Sequence, residues 1–158
     1  MDKEKQKVYA MRVSQANKTE LVAVTFDIIV DNIESAATSL NSGNIEEFRS
    51  ELKMGQRFLG ELMRSLDFKY PISKELLRLY EYVQRILVGS DVSGTDKGLL
   101  SAKSVMEKLG SAFNEISIQD KSGSVMENSQ QIYAGLTYGK GTLNEADMGA
   151  HSKRGFLA

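Results

Sequence analysis

A single proline, Pro71, interrupts the 158 residues of this chain, and on both sides of it apolar residues recur at steps of three and four. Proline removes a backbone donor and clashes with the preceding helical turn, so its near-absence leaves room for long helices. Before Pro71, the residues Ile45, Phe48, Leu52, Gly55, Leu59, Leu62 and Leu66 advance by 3, 4, 3, 4, 3, 4. After it, Leu76, Tyr80, Val83 and Leu87 form one stripe, widened by Leu79 and Ile86. Such spacing makes one face of a helix apolar and suits it to burial. Two further stripes follow the same rule. Val22, Phe26, Ile29, Ile33, Ala36 and Leu40 mark a helix over about residues 18–40. Leu99, Ala102, Met106, Leu109, Phe113 and Ile116 mark another over 99–117.

The punctuation between these stripes agrees with helix chemistry. Asn17, with Glu20 three residues on, offers an N-cap for the first helix, and Thr19 is an equally good one. "NSGN" (41–44) stops that helix, and Asn44 opens the next with Glu47 in the capping position. "GSDVSGTDKG" (89–98) reads as a loop, being rich in glycine and aspartate. Gly55 stands on a buried seam at a cost of about 1 kcal/mol against alanine, which suggests close approach of a neighbouring helix. Beyond Gln119 the period fades. A short helix is expected around Val125–Tyr133, followed by a glycine-rich, weakly structured stretch. Four helices of 73–88, 45–66, 18–40 and 99–117 joined by short loops predict an all-α chain, an antiparallel up-down four-helix bundle. Residues 1–118 would make up the bundle and the segment before it, and 119–158 a C-terminal extension.

Several function classes are disfavoured. Twenty Lys and Arg balance 21 Asp and Glu, so nothing suggests binding to nucleic acid. Without cysteine there is neither a disulfide nor a thiolate metal site, which is compatible with a reducing compartment. The first twenty residues are charged and lack the apolar stretch of a secretory signal, and no apolar run is long enough to span a bilayer. The expectation is a cytoplasmic protein with no membrane insertion. A helical di-iron site needs inward Glu-x-x-His pairs, but the one histidine, His151, lies in the extension. "GLTYGKGT" (135–142) lacks the Gly-Lys-Ser/Thr of a phosphate-binding loop. No catalytic residue, metal ligand or cofactor is expected, and the chain does not read as an enzyme.

What remains are apolar residues off the core seams. Leu21, Val24 and Ile28 form a second stripe beside the Val22 seam, Met54 and Phe58 leave the seam of the second helix, and Leu77 and Tyr82 that of the third. Single exposed apolar residues are ordinary. Together, these suggest a hydrophobic groove for an amphipathic segment of another chain. Tyr80 and Tyr82 raise the same point, since residues two apart lie about 200° apart around a helix and cannot share one core face.

"ELMRSLD" (61–67) and "LLRLYEYVQRIL" (76–87) resemble the Glu-Leu-x-x-Ser-Leu-Asp … Leu-x-x-Leu-Tyr-x-Tyr-x-x-x-x-Leu signature of the flagellin-specific export chaperones, the FliS family. "YAMRVSQANKTELVAVTFDIIV" (9–30) and "KMGQRFLGEL" (53–62) are similar to two further blocks of that family, and the likeness covers about residues 9–117. It implies a four-helix antiparallel bundle with a mobile N-terminal arm. It also implies a cytoplasmic chaperone that binds the disordered C-terminal segment of flagellin, prevents its premature polymerisation and assists type III flagellar export. The flagellar export apparatus or a co-chaperone would be further partners, and the chain itself a monomer or weak homodimer. Carried over residue by residue, the resemblance places Tyr9 in the arm, Asp27 after Phe26 in the Tyr-Asp position, and Leu79, Tyr80 and Tyr82 in the Leu-Tyr-x-Tyr motif. The expected partner-binding residues are thus Tyr9, Leu21, Val24, Asp27, Ile28, Leu77, Leu79 and Tyr82. Three stretches depart from the pattern: "TFDIIV" (25–30) replaces Leu-Tyr-Asp-Gly-Ala-Ile, "FKYPIS" (68–73) replaces a Gly-Gly turn, and the extension runs on past Ile118. The competing expectation is a homodimeric helical interaction module that pairs through its own apolar strip.

Overall fold

The computed structural model describes residues 3–126. Five helices follow one another: α1 (Lys3–Gln15), α2 (Lys18–Asn41), α3 (Ile45–Arg64), α4 (Ile72–Ser93) and α5 (Leu99–Gln119), with no strand among the described residues. Of the helix expected around Val125–Tyr133, Val125 and Met126 are not helical and the remainder lies outside the described residues.

The caps are those of ordinary helix physics. The Asn17 side chain accepts from the Glu20 amide at 2.8 Å, satisfying one of the orphan donors at the start of α2. Asn44 does the same for the Glu47 amide at 3.2 Å, and its own amide nitrogen donates to the Glu47 carboxylate at 2.8 Å. Gly94 closes α4 in the left-handed region (φ 68°), where a side chain would be strained.

Two boundaries differ from expectation. The first thirteen-residue stretch, which carries no clear seam, is helical. It consists of good helix formers without glycine or proline, and a second helix lies beneath it. At the other boundary, α4 runs to Ser93, through glycine, serine and aspartate that read as loop. Packing overrides propensity there. Ser90 continues the buried stripe of Leu76, Tyr80, Val83 and Leu87, and its hydroxyl donates toward the Lys97 carbonyl at 3.4 Å.

Each of α2, α3, α4 and α5 touches the next, and α5 returns to α2, so the contacts close a ring in which the backbones of α2 and α4 stand apart and their side chains, Phe26 and Tyr80 among them, meet in the middle. Inside it, Phe26, Ile29, Ile33, Phe48, Leu52, Leu59, Tyr80, Val83, Leu87 and Met106 form one core. Its aromatic centre is Phe26, 6.0 Å from the Tyr80 ring and 5.4 Å from that of Phe113, both in the tilted geometry aromatic pairs favour. The glycine that permits close approach is Gly110 on α5: a Cβ there would stand 3.2 Å from the Phe26 Cβ. Gly55 has more room, with its nearest neighbours, on Leu87 and Asn32, at 3.6 and 3.7 Å from a built Cβ.

Candidate partner-binding site

At 100° per residue, positions 24, 27, 28 and 31 share one stripe of a helix, roughly opposite the stripe of Phe26, Ile29 and Ile33. The second apolar stripe of α2 therefore lies across the helix from the core seam, where the sequence suggested it lay beside it. Val24 is fully buried there and Ile28 is 6% exposed, although neither belongs to the main core. The covering element is α1, whose helix-to-helix packing is against α2. A two-residue elbow, Ala16–Asn17, joins the helices and folds α1 back antiparallel.

Polar contacts hold α1 in this position. The Tyr9 hydroxyl donates to the Asp31 carboxylate at 2.7 Å, and Lys5 Nζ reaches the other oxygen of Asp31 at 3.0 Å. Arg12 pairs with Asp27 at 2.9 Å, and its guanidinium lies 5.8 Å from the Tyr9 ring centroid. Burial, and then the bond to Asp31, push the Tyr9 hydroxyl well above the ordinary tyrosine range, so it stays a donor. Ion pairs this exposed are each worth about 0–1 kcal/mol, and a hydrogen bond to a carboxylate about 1.5–3 kcal/mol. The polar hold on α1 is thus of the order of 2–4 kcal/mol, enough to dock it and small enough to reverse.

The expected site residues separate into two groups. Tyr9, Val24, Asp27 and Ile28 belong to the α1–α2 layer, and half-buried Leu21 lies on the same side of α2. Leu77 is half-buried, Leu79 is 38% exposed and Tyr82 is 40% exposed, all on α4, whose backbone stands apart from that of α2. Tyr80, by contrast, is 1% exposed, and its burial pushes the hydroxyl up to about 12. The two tyrosines divide as their angular separation requires. Met54 is exposed, and Phe58 packs against the core.

Sequence reasoning missed Asp31, which takes polar contacts from both Tyr9 and Lys5 of α1, and it missed Asp120. Thr19, weighed as a cap, donates instead to the Asp120 carboxylate at 2.7 Å. Lys5 and Arg12 stand seven residues apart facing two aspartates four apart, a charge pattern that could have shown both partners of α1. Among the described residues no group of three or more His, Asp or Glu is placed to hold a metal, and no helix is long and apolar enough to cross a membrane.

A family model described as flagellar protein FliS matches residues 1–120 of the chain. A search for similar curated proteins finds no match.

Proposed function

The chain belongs to the flagellar protein FliS family, which implies a chaperone role in flagellar export, and on that premise we propose that it binds the disordered C-terminal segment of flagellin. In this reading α2–α5 form an antiparallel up-down bundle, α1 is the N-terminal arm, and the chain after Ile118 is an extension. The protein works in the cytoplasm by recognition alone, keeping flagellin from polymerising early and presenting it for type III export.

One observation carries the reading: Val24 and Ile28, on the outer face of α2, are buried beneath a short helix that Tyr9, Lys5 and Arg12 tie to Asp31 and Asp27. An apolar strip that is needed only for stability would be tied into the main core. This one is covered by an element that can leave. The flagellin segment takes the place of α1 on Leu21, Val24 and Ile28, then passes round the bundle to Leu77, Leu79 and Tyr82. It orders as it binds, at a cost of about 2–5 kcal/mol of gross contact energy. An undocking penalty of about 2–4 kcal/mol from the polar contacts of α1 lowers the apparent affinity by roughly 30- to 900-fold, since only the open fraction competes.

The test is calorimetric titration of the full chain with the last ~50 residues of a flagellin from the same organism, alongside a Tyr9→Phe variant. One-to-one binding with a negative heat-capacity change is expected. The variant, lacking the bond to Asp31, should bind roughly ten- to 150-fold more tightly. No binding by either protein would leave a bundle whose apolar strip serves another purpose.

A further inference from the structure

The chain leaving α5 does not depart from the fold. It turns back along the elbow between α1 and α2 and makes contact there at four points. The Asn17 amide donates to the Asp120 carbonyl at 3.2 Å, and the Thr19 hydroxyl to the Asp120 carboxylate at 2.7 Å. Farther on, the Ser124 hydroxyl donates to the Ser14 carbonyl at 3.1 Å, and the Val125 amide to the Ala16 carbonyl at 2.9 Å. Asp120 is fixed in its own right by the Ser122 amide, which reaches its other oxygen at 3.0 Å.

These contacts fall on groups that the elbow leaves unsatisfied. A helix ends with carbonyls that have no intrahelical partner, and a buried one must find a donor elsewhere. Ser14 and Ala16 supply such carbonyls at the end of α1, and both residues are buried, Ala16 completely. The segment after α5 provides the donors. At its other end it grips the first turn of α2, where an aspartate is also favoured by the helix dipole. The same seven residues therefore hold the end of one helix and the start of the next.

We propose that residues 120–126 are a strap that keeps the α1–α2 elbow closed, so that the chain beyond α5 governs how often α1 lifts from the outer face of α2. With the strap seated, lifting α1 leaves the carbonyls of Ser14 and Ala16 held in their closed positions, and the elbow resists opening. With the strap withdrawn, those carbonyls turn to water and α1 is retained by its contacts with α2, those of Tyr9, Lys5 and Arg12 among them. Drawing the C-terminal chain away from the elbow, which it meets across 101 to 110 positions of sequence, would open the apolar face of α2. The proposal rests on reading α1 as a cover for the binding face, and its test separates the two.

The experiment is hydrogen–deuterium exchange on the full chain, comparing the unaltered protein with a Ser124→Ala/Val125→Pro variant and, separately, Asp120→Ala. The first removes both donors to the α1 end; the second removes the grip on Thr19. A hydrogen bond shifts an equilibrium by about fivefold, so amides of α1 should exchange at least about fivefold faster in the first variant, with α3 and α4 unchanged. Unchanged α1 exchange in both variants, or equal acceleration in every helix, overturns the strap. Titration of the same variants with the flagellin segment then tests the cover. Faster α1 exchange with unaltered affinity upholds the strap and removes α1 from the binding mechanism.

Discussion

Two tyrosines separated by one residue show how position alone assigns a role. Tyr80 faces Phe26 in the core and Tyr82 faces outward, 40% exposed, with the same side chain and the same helix. Tyr80→Ala should cost about 3–5 kcal/mol of stability, the usual price of an emptied aromatic site. Tyr82→Ala should change stability by less than about 0.5 kcal/mol while weakening flagellin binding, and paired thermal melts and titrations check both. A large stability loss for the second would place Tyr82 in the core. Asp120 gives a second residue-scale expectation. The bonds from Ser122 and Thr19 pull its carboxyl down to about 2, below the ordinary range near 4. A depressed folded value means that the group stabilises the fold above about pH 4 and that this contribution disappears as pH falls towards 2. The melting-temperature gap between the unaltered protein and Asp120→Asn should therefore hold steady from pH 7 to about 5 and close at lower pH.

Among the elements, the helices were legible where one face is buried and the opposite face is wet, because a single period then records both. α3 is the clearest case, and its start and cap were readable from Asn44 and Ile45 onward. α2 was harder to read. Its apolar residues occupy two opposite faces, one for the core and one for α1, so periodicity revealed the helix but not what covered its outer side. α1 was invisible as a helix for the complementary reason: it buries little, and its hold is polar. The end of α4 was missed because Ser90, a residue of modest propensity, is placed by packing. Glycine gives the sharpest element-scale contrast. The sequence pointed to Gly55 as the close-approach site, but a Cβ there would meet neighbours at ordinary van der Waals distance, whereas at Gly110 it would crowd Phe26. Gly55→Ala should raise stability by up to about 1 kcal/mol through helix propensity. Gly110→Ala gains the same propensity but must displace Phe26, and a net loss of about 1 kcal/mol or more is expected in a denaturant titration.

At the scale of the whole molecule, the sequence carried the helical class and most helix bounds, because those depend on neighbours within a few turns. The candidate site was legible only as a list of residues. Its division between the outer face of α2 and the exposed residues of α4 depends on contacts between elements, and the return of residues 120–126 to the elbow on contacts across more than 100 positions, and neither leaves a local period. The ring of contacts also has a consequence in time. The outer face of α2 meets α1 as soon as it is made and α3 follows closely, but α5 is the last of the described helices to appear, and the inner face of α2 needs it. Phe26 therefore waits, without Phe113 or the backbone at Gly110, until nearly all of α2–α5 has left the ribosome. During that interval this protein is itself a nascent chain with an uncovered apolar helix, and it passes through the condition from which, in our reading, it protects its partner.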